Sequence, residues 1–93
     1  GGVKHEIDIQ FNPLKEPVIK GPIEKVLSLK KQNETTVVYC LMRDTMPRSR
    51  TVTFRPIETG AYIKDESLGG YTFLDTIMYH DDSYVLHWFY KIE

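Results

Sequence analysis

The chain has 93 residues, of which 41% are hydrophobic and 12% aromatic. That composition is too apolar for a disordered chain, and the length suits one small core. Lys and Arg number 12 against 13 Asp and Glu, so the net charge is −1. This balance argues against general nucleic-acid binding, which depends on clustered positive charge. We expect residues 1–93 to form a single domain that binds no nucleic acid.

Cysteine content and hydropathy bear on the compartment. Cys40 is the only cysteine, so no internal disulfide is possible and a reducing, cytoplasmic location is expected. No apolar run approaches the roughly 20 residues that cross a bilayer, and no signal peptide is visible. Membrane attachment, for example a tether to the endoplasmic reticulum, is therefore expected only through segments outside this chain, in a longer parent protein.

The first third of the chain predicts one long strand and one short one. Apolar and polar residues alternate over 3–11, which is the period of a half-buried strand, and Pro13 follows its end. Pro17 and Pro22 flank residues 18–20, a segment typical of a short edge strand because proline lacks a ladder donor.

The middle of the chain predicts a hairpin and a further short strand. Residues 23–31 fit the start of a helix or a strand, and we favour a strand over 26–31. Its partner is the β-branched and aromatic run 36–42, across a polar turn. Residues 51–54 form the next predicted strand, which Pro56 is expected to stop.

The last third predicts two long strands, 71–79 and 84–92, joined by a polar turn. Both faces of the second carry apolar side chains, so we expect it to be central in its sheet or covered on both sides. About seven short strands without a convincing helix predict an all-β fold, an immunoglobulin-like antiparallel β-sandwich. The predicted core is Ile7, Ile9, Val38, Cys40, Phe54, Phe73, Leu86 and Trp88.

No catalytic or metal-binding pattern stands out. His5, His80 and His87 lie on different predicted elements without the spacing of metal ligands. The adjacent carboxylates Asp81 and Asp82 are typical of a solvated turn rather than of acid–base catalysis. Cys40 lies in an apolar strand, so we expect a buried thiol and not a nucleophile. We therefore expect no metal, no cofactor and no enzymatic activity.

The charges are unevenly distributed along the chain. Four arginines fall within residues 43–55 and only Asp44 opposes them, whereas residues 58–82 are acidic. A basic rim attracts acidic peptides, and arginine grips carboxylates or phosphates with two hydrogen bonds. Equally, these arginines can pair with the domain's own carboxylates in a solvated loop. The sequence alone leaves both interpretations open.

Residues 19–60 present a series of short motifs in a recognisable order. Residues 19–22 are followed by an apolar strand, by the run 36–42, by Thr45-Met46-Pro47, and then by Arg55-Pro56 and Gly60. This order resembles the major sperm protein (MSP) domain, which nematode sperm cytoskeletal proteins share with VAMP-associated proteins (VAP). The resemblance implies a PapD-like, immunoglobulin-like sandwich that binds or assembles proteins.

The resemblance also implies a binding site. In VAMP-associated proteins, a basic strand ending "K-T-T-x-P" helps bind short acidic peptides that contain two phenylalanines. Residues 43–47 match this motif, with Asp44 in place of a threonine, and the last strand lacks the family's Lys and Met. We predict an adaptor that binds an acidic or phosphorylated peptide; the alternative is a self-associating scaffold that forms a homodimer. The predicted peptide-binding residues are Arg43, Thr45, Arg48, Arg50 and His87.

Overall fold

The computed structural model describes the backbone and its pairing at residues 3–9, and residues 16–32, 35–60 and 68–93 with their side chains. These residues form strands and turns and contain no α-helix, as the alternation of the sequence predicts. The strands are β1 (Val3–Ile9), β2 (Val18–Lys20), β3 (Ile23–Gln32), β4 (Thr35–Met42), β5 (Thr51–Glu58), β6 (Thr72–Tyr79) and β7 (Tyr84–Ile92).

The strands lie in two antiparallel sheets that share one core. Sheet A has the order β1-β4-β3 and sheet B the order β2-β5-β7-β6. The predicted hairpins β3–β4 and β6–β7 are confirmed, as is the central position of β7. In a constant-type immunoglobulin domain the first strand pairs with the second and the third with the sixth. Here β1 and β3 both pair with β4, so the sandwich has a different strand order.

The core lies between the two sheets. Buried residues alternate along β5 and β7, whereas on β3 they recur at every third residue across its two register shifts. Of the predicted core, Val38, Cys40, Phe54, Leu86 and Trp88 are buried, and the side chains of β1 lie outside the described residues. Among the residues whose side chains are described, the buried apolar ones are Ile23, Val26, Leu29, Val37, Val38, Cys40, Val52, Phe54, Ile77, Tyr79, Leu86 and Trp88.

Phe73 contradicts the predicted core, because its side chain is 54% exposed. The pairing of β6 with β7 shifts between Phe73 and Asp75, and such a bulge re-aims the residues on one side of it. Phe73 consequently packs edge-on against Phe89, with ring centroids 5.6 Å apart. It lies on the outer face of sheet B.

Strand β5 continues through Pro56, where the sequence predicts an end. The amide of Phe54 donates to Pro17 on the side of β2, and two residues on the nitrogen of Pro56 faces the same side. The pairing of β2 stops at Thr53, so no ladder donor is required of Pro56. The proline is tolerated because this part of β5 behaves as an edge.

Candidate functional site

The predicted binding residues of the middle segment lie on one loop. Residues 43–50, called the basic loop below, connect β4 in sheet A with β5 in sheet B. Two successive turns shape it: the amide of Met46 donates to the carbonyl of Arg43 at 2.9 Å, and that of Arg50 to Pro47 at 3.3 Å. The amide of Gly21 donates to the Arg50 carbonyl at 3.0 Å, which ties the loop to the segment joining β2 and β3.

Arg43 is engaged within the domain. Its guanidinium group contacts both carboxylate oxygens of Glu24, on β3, at 3.0 and 3.1 Å. The Nε atom of Arg43 is buried without a hydrogen-bond partner. A carboxylate of the domain therefore neutralises this arginine, as the solvated-loop interpretation predicts for it.

The other arginines of the basic loop are more available. Arg48 is exposed at the corner of the second turn and makes no ion pair with a described residue. Arg50 is half-buried, and its guanidinium group lies 4.0 Å from the sulfur of Met46. Thr45 is exposed on the first turn, and exposed Lys20 pairs with Thr51 where the loop enters β5.

His87 does not lie beside the basic loop, so its predicted place in the site is wrong. It pairs with Ile57, six positions beyond Thr51 on β5, which is about 20 Å at the rise of a strand. Its ring bonds two hydroxyl groups on the outer face of sheet B: Thr59 at 2.8 Å through Nε2 and Thr76 at 2.9 Å through Nδ1. We call this outer group the His87 network.

The comparisons with known proteins give one match. The family described as "Domain of unknown function (DUF7352)" matches residues 3–93, which is nearly the whole chain. The chain belongs to this family. No curated protein and no solved structure matches it.

Two connections at opposite ends of the DUF7352 sandwich, the basic loop and the β6–β7 turn, differ in charge. Lys20, Arg48 and Arg50 lie at the end that carries the basic loop, while Asp81 and Asp82 lie in the β6–β7 turn at the other end. At the basic end the carboxylates of Glu24 and Glu93 are paired with Arg43 and Lys91. The hydrogen bond that Lys91 donates to the Glu93 carboxylate raises the pKa of Lys91.

Sequence reasoning missed a buried polar network of the DUF7352 domain. Trp88 donates through Nε1 to the Tyr79 hydroxyl at 3.2 Å, and the same hydroxyl bonds the Thr36 hydroxyl. All three side chains are fully buried, and they join β7, β6 and β4. Thr36 and Tyr79 lie on core-facing positions, which was the available signal, but alternation does not reveal that their polar atoms meet.

The reactivity of Cys40 in the DUF7352 domain is limited by burial of its thiol. Its thiol is free and buried, and burial raises the pKa to about 11, so the thiolate that would act as a nucleophile is disfavoured. Within residues 16–32, 35–60 and 68–93, whose side chains the structure describes, no group of His, Cys, Asp and Glu is placed to hold a metal ion. The same residues include no helix long and apolar enough to cross a membrane.

Proposed function

We propose that this chain is a non-enzymatic interaction domain that binds an acidic or phosphorylated peptide at the basic loop. The observation that supports the proposal is Arg48, an exposed guanidinium group with no described carboxylate as a partner. Arg50 and Lys20 lie near it, while Arg43 is bound to Glu24. The proposed binding residues are thus Arg48, Arg50 and Thr45 from the predicted set, with Lys20 added and Arg43 and His87 left out.

The chemistry of these groups selects the ligand. An arginine fork offers parallel N–H donors to a carboxylate or phosphate, and the exposed Thr45 hydroxyl adds a further donor. One exposed ion pair contributes only about 0–1 kcal/mol, so Arg48, Arg50 and Lys20 must act together. Binding by several exposed charges weakens as salt screens them. Asp44 repels a ligand carboxylate and so weakens the attraction of the basic loop for an acidic peptide.

The resemblance to MSP domains supports the proposal through the match of residues 43–47. That the sandwich is immunoglobulin-like is part of the same proposal. The strand order differs from that of an immunoglobulin domain and therefore weighs against this assignment. For that reason the ligand is argued from the charges of this loop and not from the family's binding geometry. A cytoplasmic location fits the proposal, since one buried thiol requires no oxidising compartment.

The test is a titration of labelled peptides into the domain. The set contains an acidic peptide, the same peptide phosphorylated on one serine, and a neutral version of equal length. We expect binding in the order phosphorylated, acidic, neutral, with a steep loss on adding salt. The variant Arg48→Glu/Arg50→Glu should lose most of the affinity.

A matched control isolates the basic loop from the overall charge. Lys30→Glu/Lys31→Glu makes the same change in net charge on β3, at the end of the sandwich opposite the loop. It should bind the acidic peptides nearly as well as the unaltered domain. Equal losses in both variants would show that only net charge matters, and unchanged binding by the arginine variant would rule out this surface.

A further inference from the structure

The sheets have free edges that differ in how they are protected. Exposed strand edges pair with other chains unless they are short, charged or bulged. β2 is three residues long, and β3 carries exposed Lys25 and Lys30 and two shifts of register. β1 carries Lys4, Glu6 and Asp8 at alternate positions of its sequence. Each of these three edges thus has a feature that discourages pairing with another chain.

The edge of β6 is less protected than the others. Asp75 is its only charged residue, and its one register shift lies between Phe73 and Asp75. From Thr76 to Tyr79 the strand pairs regularly with β7 and carries no charge. The Met78 side chain on this stretch is 48% exposed. Among the described strands, none pairs with the other side of β6.

One hydrogen bond lies on the side of β6 where no described strand pairs. The backbone amide of Thr76 donates to the Asp75 carboxylate at 2.8 Å. A side-chain oxygen here satisfies an amide that a carbonyl of an adjoining strand would satisfy in a sheet interior. The amide of Thr76, and by alternation that of Met78, therefore faces the side of β6 where a further strand can pair, and such a strand would replace the Asp75 contact.

We propose that the β6 strands of two copies of this chain pair antiparallel. The two copies are related by a two-fold axis that passes beside Ile77. Residues opposite each other share a face in an antiparallel pair. The axis places Ile77 opposite Ile77, and Thr76 opposite Met78, of the two copies. The two B sheets then form one continuous sheet, and the exposed Met78 side chains are covered.

Charge favours a second copy as the occupant. In this register each Asp75 lies opposite Tyr79, so the two carboxylates are four residues apart, or about 13 Å. That exceeds the screening length of roughly 10 Å at ordinary salt, and repulsion is small. A strongly charged strand would find no opposite charge between Thr76 and Tyr79.

The dimer is independent of the peptide-binding proposal, because the basic loop contributes nothing to β6. Sedimentation of the 93-residue domain over a wide range of concentration tests it. We expect a monomer–dimer equilibrium that Met78→Lys weakens about tenfold or more, since a lysine on an edge opposes pairing. Val18→Lys is the matched control: Val18 is 58% exposed on β2, at the opposite edge of sheet B, and its replacement should leave the dimer intact.

The register is tested by a disulfide between copies. Directly opposed residues lie within the Cα separation that a disulfide spans, and diagonal neighbours exceed it. A mixture of Thr76→Cys and Met78→Cys domains should cross-link readily, whereas Met78→Cys alone should not. Melting curves confirm that each variant is folded. A domain that stays monomeric at every concentration, or a Met78→Lys variant as dimeric as the unaltered domain, would overturn the proposal.

Discussion

The two faces of β7 carry two polar networks that differ mainly in their access to water. On the inner face, Trp88 and Thr36 meet at the Tyr79 hydroxyl, and all three side chains are fully buried. On the outer face, the ring of His87 bonds two threonine hydroxyls. His87 and Trp88 are consecutive residues, so alternation along one strand separates them.

The comparison shows why similar hydrogen bonds differ in what they contribute. An exposed donor or acceptor that loses its protein partner bonds to water, whereas a buried one is left unsatisfied at a cost of about 1–3 kcal/mol. The inner network also joins both sheets, since Thr36 lies on β4 of sheet A. We therefore expect the inner network to stabilise the sandwich and the His87 network to contribute little to its free energy of unfolding.

Trp88→Ala should have the largest effect of the changes considered. Trp88 is fully buried between the sheets, and truncation of a buried Trp costs roughly 3–5 kcal/mol. Phe73→Ala, an aromatic truncation at a position 54% exposed, is the control and should cost far less. Denaturant unfolding monitored by circular dichroism measures both. Similar losses in the two variants would contradict the division of β7 into an inner and an outer face.

Tyr79→Phe isolates the inner hydroxyl from the packing of the ring. Trp88 Nε1 can only donate, so the Tyr79 oxygen accepts from it, and its loss leaves a buried indole N–H without that acceptor. We expect a loss of about 1–3 kcal/mol with the core volume unchanged. Denaturant midpoints measure the loss, and a shift in Trp88 fluorescence should accompany it. A variant as stable as the unaltered domain would mean that this hydrogen bond contributes nothing net.

Cys40 tests whether the inner face excludes water. Burial raises the pKa of its thiol to about 11 from a usual 9.0, so between these values the folded domain binds more protons than the unfolded chain. Stability should be complete below pH 9 and fall as the pH rises toward 11, by about 1.4 kcal/mol at pH 10. Cys40→Ala should show a shallower decline over the same range. Parallel curves for the two domains would show that Cys40 is not the cause.

Local patterns made much of the fold predictable. Alternation located the hairpins β3–β4 and β6–β7 and the faces of β7 because a side chain's face follows from its position in the strand. Two predictions, the end of β5 at Pro56 and the burial of Phe73, were wrong because each depends on how a neighbouring strand pairs. Pro56 continues β5 since the pairing of β2 stops at Thr53, and a bulge turns Phe73 outward.

The binding residues were predicted less well, because their positions depend on which residues of distant strands lie opposite each other. Arg43, Thr45, Arg48 and Arg50 are close in sequence, so the sequence alone was enough to predict that they share a loop. The position of His87 depends on its pairing with Ile57, and no local pattern encodes which residues of distant strands lie opposite. The pairing of Arg43 with Glu24 depends on the same long-range information.

Threonine to valine replacement on the two faces gives the smallest and sharpest comparison. Each change exchanges a hydroxyl for a methyl group of similar size, so packing is nearly constant. Thr36→Val removes a buried partner of the Tyr79 hydroxyl and should cost about 1 kcal/mol. Thr76→Val removes the partner of His87 Nδ1 on the outer face and should stay within about 0.5 kcal/mol, because water replaces the hydroxyl there. Parallel denaturant titrations measure the difference. If Thr76→Val costs as much as Thr36→Val, water does not reach the ring of His87, and the outer face of sheet B is covered in solution.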